Sequence, residues 1–99
     1  MKIRILDLAR DDLINGYRFY EKQRAGLGSY FLENLHNDIE SLRFTGGAHS
    51  VIHKQFHRAL SKRFPWAIYY TLTGESVYIH AVTDCRRDPD WIENHLNKA

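Results

Sequence analysis

The fold is decided by the stretch Arg63-Phe64-Pro65-Trp66-Ala67-Ile68-Tyr69-Tyr70, which is followed after a short interval by Val77-Tyr78-Ile79-His80-Ala81-Val82. Both runs are rich in aromatic and β-branched residues, which favour strands. Because Thr73-Gly74-Glu75 lies between them, the two runs are typical of an antiparallel β-hairpin. This hairpin supplies the core of a small sheet, and Arg86 and Arg87 follow its second strand at the rim.

Alternation along the first strand assigns its side chains to two faces. Side chains two apart share a face, so one face is predicted to hold Phe64, Trp66, Ile68, Tyr70 and Leu72, and the other Ala67, Tyr69 and Thr71. Pro65 has no amide hydrogen to donate and therefore belongs at the start of the strand. One of these faces must be covered by the helical hairpin predicted below.

The N-terminal half predicts one strand and two helices. Lys2-Ile3-Arg4-Ile5 alternates as a half-buried strand does. A helix with an apolar face is expected from Leu8 to Gly26, with Asp7 as its N-cap and Gly16 at a close helix crossing. A second helix is expected from about Ser29 to Arg43, which makes the pair an antiparallel helical hairpin.

The remaining segments complete an α+β fold. Residues 45–48 are expected to form a loop, and Gln55 to Ser61 a further strand. Asp88-Pro89 is typical of the N-cap and first residue of a short last helix. The predicted order is β-α-α-β-β-β, with the helical hairpin packed on an antiparallel sheet and a short C-terminal helix. Residues 1–99 are predicted to form a single domain.

The composition predicts a soluble cytoplasmic protein with no membrane partner. Hydrophobic residues make up 43% of the chain, which suits a folded globular domain. Cys85 is the only cysteine and cannot form an internal disulfide, as expected in a reducing compartment. The sequence contains no apolar run of signal-peptide length at its start and none of membrane-spanning length.

Charge is distributed unevenly along the chain. No acidic residue lies between Glu40 and Glu75, whereas five basic residues do: Arg43, Lys54, Arg58, Lys62 and Arg63. Such a one-signed patch attracts phosphates or an acidic protein segment. The alternative is a solvated basic edge that protects the sheet from pairing with other chains. The net charge of +2 does not by itself indicate nucleic acid.

Three groups of residues resemble one known family. They are Tyr20-Glu21 with Gly26-Leu27-Gly28 and Phe31, the strand at 63–70, and the ending at 77–91 that contains Arg86-Arg87-Asp88-Pro89 and Trp91. In this order and spacing, which cover nearly the whole chain, they resemble the RelE/ParE superfamily of toxins from bacterial toxin–antitoxin modules. The similarity is to the ParE-like (plasmid stabilisation) branch in particular.

The resemblance implies three alternative functions. RNA-cutting relatives commonly place an arginine where this chain has Ala67, and a methyl group cannot stabilise a phosphorane. The resemblance therefore favours a growth-inhibiting toxin that poisons DNA gyrase and cleaves nothing itself. The first alternative is ribosome-dependent mRNA cleavage, with candidate catalytic residues Lys54, Arg58, Arg86 and His95. The second is an inactive family member that only binds an antitoxin.

The resemblance also implies a cognate antitoxin as partner, in a hetero-oligomer. The predicted residues for partner or target binding are Lys54, Arg58, Lys62, Arg63, Tyr69, Tyr78, Arg86 and Arg87. Arg86 and Arg87 have an alternative role, which is to anchor the last helix through Asp88 or Asp90. No cofactor is expected. A metal is not expected either, because His49, His53 and His57 fall four residues apart in a region predicted as loop and strand, about 13 Å between neighbours.

Overall fold

The computed structural model describes residues 1–49, 51–53 and 55–99, with the side chains of 48, 52 and 53 left aside. Its elements in chain order are β1 (Lys2–Ile5), α1 (Asp7–Gln23), α2 (Leu27–Thr45), a 3₁₀ turn (Gly46–Ala48), β2 (Val51–His53), β3 (Phe56–Leu60), β4 (Trp66–Thr73), β5 (Ser76–Asp84) and α3 (Pro89–Leu96). The strands form one sheet in the order β1-β5-β4-β3-β2. The predicted α+β class is confirmed, as are the helical hairpin and the short last helix.

The predicted antiparallel pairing is wrong at the β1 edge, and the other edge has one strand more than predicted. β1 pairs in parallel with β5, with Ile3 opposite Val77, so the sheet is mixed. β2 is an additional short strand, antiparallel to β3. Alternation in a sequence indicates which face a side chain occupies, but it is the same for parallel and antiparallel neighbours. The direction of β1 therefore could not be read from its pattern.

The predicted faces of β4 are confirmed, and each face has its own core. Phe64, Trp66, Ile68, Tyr70 and Leu72 pack with the helical hairpin, around the buried Phe31 and Leu35 of α2. Ala67 and Tyr69 lie on the opposite face with Phe56, Ala81 and Leu96. The β4–β5 register shifts between Tyr69 and Tyr70, leaving His80 as an extra residue in β5. Pro65 immediately precedes β4, as predicted.

The joint of the helical hairpin is held by Glu21. Its carboxylate accepts hydrogen bonds from the backbone N–H of Gly26 at 3.0 and 3.1 Å and of Gly28 at 2.9 Å. These are donors at the start of α2, which would otherwise lack partners. Gly26 has a φ of 89°, which favours glycine. A side chain on Gly28 would collide with the Tyr17 carbonyl oxygen at 2.6 Å.

The predicted helix crossing at Gly16 is confirmed. A Cβ atom at this position would lie 2.6 Å from the Phe31 ring, which explains a glycine inside α1.

Some predicted helix ends need correction. Leu6 rather than Asp7 is the N-cap of α1, and α2 runs from Leu27 to Thr45, beyond the predicted ends. The Glu21 cap starts α2 earlier than its apolar stripe indicates, and Thr45 is helical, its hydroxyl donating to the Ser41 carbonyl.

The last helix begins as predicted. Asp88 is its N-cap and accepts a hydrogen bond from the backbone N–H of Asp90 at 2.8 Å, and Pro89 is the first helical residue. Within the described residues, none of the helices is both long and apolar enough to span a membrane.

Candidate partner-binding site

The α3 helix lies on the sheet face opposite the helical hairpin. Leu96 of α3 packs there against the cluster that contains Ala67, Tyr69 and Ala81, each of which is buried. Ala67 and Ala81 carry only methyl groups, so the helix can approach the sheet closely at these two positions. The position that would hold an arginine in an RNA-cutting relative is thus fully buried here.

A buried pair of side chains attaches α3 to α1. The Nε2 atom of His95 lies 2.7 and 2.9 Å from the two carboxylate oxygens of Asp12. Oδ2 of Asp12 also accepts a hydrogen bond from the backbone N–H of Val82 at 2.9 Å. Burial raises the pKa of the Asp12 carboxyl above its ordinary value, and the bonds from His95 and Val82 partly oppose this rise. One carboxylate therefore joins α1, α3 and β5.

Three side chains form a stack along α3. The Trp91 ring is nearly parallel to the His95 ring, with centroids 4.6 Å apart and an angle of 13°. The guanidinium carbon of Arg87 lies 4.0 Å from the centre of the Trp91 ring, which is a cation–π contact. The stack fixes the position of Arg87 by connecting it through Trp91 to the buried Asp12–His95 pair.

A cavity opens between α3 and strands β3 and β4, and we call it the α3 cavity. Its volume is about 380 Å³, and the residues that define its character are Arg58, Tyr69, Cys85, Arg87, Ile92 and Leu96. Arg58 of β3 and Tyr69 of β4 are directly opposite each other in the strand register. The register thus places Arg58 beside Tyr69, and Arg87 is a second basic residue that lines the cavity.

Arg58 is only partly compensated inside the α3 cavity. Its Nε atom is buried and has no hydrogen-bond partner. Burial raises the pKa of the Tyr69 hydroxyl, while the nearby Arg58 guanidinium and Thr83 hydroxyl work in the opposite direction. No acidic residue in the described part of the chain forms an ion pair with Arg58. The cavity therefore contains a half-buried guanidinium that is in no ion pair with a described residue, and Glu93 is the one acidic residue among those that line it.

Lys62 and Arg63 belong to a different surface. Both are exposed in the loop between β3 and β4, where they line a separate cavity of about 340 Å³ with Tyr30 and Asp38 of α2. The Nη1 atom of Arg63 donates to the Tyr30 hydroxyl at 3.2 Å, and the backbone N–H of Lys62 faces the Asp38 carboxylate at 3.4 Å. The basic residues predicted as one patch are thus divided between two surfaces.

Arg86 and Arg87 also separate. Arg86 forms a bidentate ion pair with Asp84, at 3.0 and 2.7 Å, and this bond lowers the pKa of the Asp84 carboxyl. Arg87 covers Trp91 instead. Neither arginine pairs with Asp88 or Asp90, so the alternative in which they anchor α3 through these carboxylates is wrong. The reason is that Asp88 is occupied as a helix cap and Asp84 lies nearer to Arg86.

The other predicted residues have varied positions. Tyr78 is half-buried in β5, and Tyr69 is only 2% exposed beneath α3. Lys54 lies outside the described residues. The Nε2 atom of His80 lies 2.8 Å from the Thr71 hydroxyl, and burial lowers the pKa of this histidine. His57 stacks on Tyr70.

Among the described residues, no three potential ligand side chains are grouped as a metal site requires.

Sequence reasoning missed Asp12 and Trp91 as parts of this site. Asp12 falls within the apolar face of α1, three residues after Ala9 and four before Gly16, both of which are buried. An acidic residue in such a face needs a buried partner, and this was an available signal. Arg87 lies just before the N-cap Asp88 of α3 and Trp91 lies in the first turn of that helix, so their contact depends on how the chain enters the helix.

Comparison with known proteins identifies the fold. No family model matches the sequence, and no curated protein matches it. Among solved structures, the chain is similar to a chain of the "Chromosomal ParDE TA system from P. aeruginosa", with a TM-score of 0.78. The match covers 85% of this chain and 95% of that chain at 12% sequence identity. The resemblance predicted from the sequence is therefore confirmed at the level of the fold.

Proposed function

We propose that this protein is the toxin of a type II toxin–antitoxin module, neutralised by a cognate antitoxin. The observation that supports it most is the fold shared with a chain of the ParDE system over nearly the whole of both chains. The helical hairpin motif that suggested the family also has a physical role here, because Glu21 caps α2 through Gly26 and Gly28. A hetero-oligomer with the antitoxin in the cytoplasm is part of this proposal.

The proposed mode of action is ParE-like binding to DNA gyrase. Two positions support binding over RNA cleavage. Ala67 is fully buried and has no group that could stabilise a phosphorane. The Nε2 atom of His95, a candidate acid, faces the buried Asp12 carboxylate. Arg58 and Arg86 remain as cations, but Arg86 is neutralised by Asp84 and does not line the α3 cavity.

Two assays on the purified wild-type protein test this mode. Gyrase supercoiling of a relaxed plasmid is expected to be inhibited, with accumulation of gyrase-linked DNA breaks. In a bacterial translation extract, messenger RNA on ribosomes is expected to remain intact. Cleavage of ribosome-bound message without an effect on gyrase would replace the proposal with the RNA-cutting alternative.

Growth assays separate an active toxin from an inactive family member. Induced expression in bacteria is expected to stop growth, and co-expression of the reading frame beside the toxin gene is expected to restore it. Normal growth together with no effect in both purified assays would contradict the toxin proposal. An inactive antitoxin-binding member would then be the remaining reading of the fold.

A further inference from the structure

Among the described residues, none forms an ion pair with the Arg58 guanidinium in the α3 cavity. The Arg58 guanidinium is half-buried with its Nε atom lacking an acceptor, and its nearest polar neighbour in the strand register is the neutral Tyr69 hydroxyl. Arg87 adds a second guanidinium, held in place by Trp91. Burying charges without an opposite charge is unfavourable, and an anion that enters the cavity would relieve this.

We propose that the α3 cavity is an anion site that receives one carboxylate side chain of the protein partner, placed between Arg58 and Arg87. This inference deepens the proposed function and rests on it, because the partner is taken to be the antitoxin. The partner's carboxylate would accept hydrogen bonds from Arg58 and Arg87, while its methylene groups would contact Ile92 and Leu96. Charge and shape in the cavity both fit an aspartate or glutamate.

The surroundings favour a single carboxylate over a nucleic acid backbone. A polyphosphate chain needs a continuous row of cations. Among the described residues, Lys62 and Arg63 line another cavity with α2, and Arg86 is paired with Asp84, so no such row leads away from the α3 cavity. Glu93 also lines the cavity and offsets one of the two guanidinium charges, so the balance left there suits one negative group and not several phosphates. The site therefore suits one negative group with apolar flanks.

Cys85 allows the anion preference to be measured directly. It is the only cysteine of the chain, it is one of the residues that line the α3 cavity, and its thiol donates to the Pro65 carbonyl at 3.0 Å. The probes are two disulfide reagents, the dianionic 5,5′-dithiobis(2-nitrobenzoate) and the neutral 4,4′-dithiodipyridine. The ratio of their rates cancels changes in thiol pKa, because both react with the same thiolate.

The expected result is a selective loss of the anionic reaction. Arg58→Gln should lower the rate ratio by about fivefold, and Arg87→Gln by about threefold, since each removes one positive charge near the thiol. The matched control is Arg63→Gln, which makes the same change of net charge on a different surface and should leave the ratio unchanged. Equal ratios in wild type, Arg58→Gln and Arg87→Gln would overturn the proposal.

Peptide display tests the carboxylate itself. Two libraries of 12-residue peptides are selected on the wild-type protein, one with a fixed central Glu and one with a fixed central Gln. Binding from the Glu library should protect Cys85 and fall about tenfold with Arg58→Gln, as expected for a lost charged hydrogen bond. Equal enrichment of both libraries would overturn the proposal, as would stronger protection by a single-stranded RNA oligonucleotide.

Failure of this inference can be distinguished from failure of the proposed function. If wild-type protein inhibits growth and gyrase while the Glu and Gln libraries behave alike, the toxin proposal stands and the anion site is rejected. If Glu peptides bind through Arg58 while neither growth nor gyrase is affected, the anion site stands and the toxin proposal is rejected.

Discussion

Asp12 is predicted to be the most sensitive polar position of the fold, since its carboxylate joins three elements. Replacing it with alanine removes the acceptor of the His95 ring and of the Val82 backbone N–H, and both donors are buried. An orphaned buried donor costs about 1–3 kcal/mol, and breaking a buried pair costs about 3–5 kcal/mol. We therefore expect Asp12→Ala to lower the free energy of unfolding by about 3–5 kcal/mol.

The measurement is urea unfolding followed by circular dichroism. A domain of this size has a stability of about 5–15 kcal/mol, so the variant should still be partly folded in water. Asp12→Asn keeps one acceptor oxygen and is expected to lose about half as much as Asp12→Ala. His95→Ala and the double variant with Asp12→Ala complete a thermodynamic cycle, with an expected coupling of about 1–3 kcal/mol.

The cycle can refute the structural reasoning in two ways. A loss below about 1 kcal/mol for Asp12→Ala would be typical of an exposed ion pair, and the pair would then not be buried in solution. Additive losses in the double variant would mean that Asp12 and His95 do not interact.

Three further predictions address the hairpin joint, the helix crossing and a buried phenol. Glu21→Gln leaves one acceptor oxygen for two backbone donors and should cost about 1–2 kcal/mol in thermal unfolding, whereas an unchanged melting temperature would contradict the clamp. Gly16→Ala should destabilise by about 1–3 kcal/mol despite better helix propensity, because its Cβ would collide with the Phe31 ring; a more stable variant in urea would disprove the close crossing. Burial raises the pKa of Tyr70 to about 12 from its ordinary 10.0, so stability present below pH 10 should fall by about 1.4 kcal/mol per pH unit towards pH 12. Urea unfolding of Tyr70→Phe should lack this decline, and equal alkaline slopes in both proteins would refute it.

The fold could be predicted where a sequence pattern is compatible with only one local structure. Alternation in β4 assigned its faces correctly because every second side chain must share a face. Gly16 inside an apolar helix face indicated a close crossing, since no other residue leaves that much room. The direction of β1 was not predictable, because a parallel and an antiparallel neighbour impose the same alternation.

The candidate site was less predictable because it depends on contacts between distant segments. Basic residues 58–63 are close in sequence, yet Arg58 lines the α3 cavity from within β3, whereas Lys62 and Arg63 follow the strand and line a cavity with α2. The sequence gives the net charge of a segment. The surface on which each basic side chain lies depends on where the strand ends, which the composition does not give. Arg86 and Arg87 are adjacent and still have different partners, Asp84 and Trp91, for the same reason.

The small residues beneath α3 allow the helix to pack closely on this face of the sheet. Ala67 and Ala81 are fully buried beneath a helix that Asp12 and His95 attach to α1. An arginine at position 67 would place a long charged side chain where Ala67 is fully buried in the cluster that contains Leu96 of α3. The α3 cavity lies beside this helix and is lined by basic and by apolar residues, among them Arg58, Arg87, Ile92 and Leu96. This combination is the basis of the proposal that the cavity receives a side chain from a protein partner.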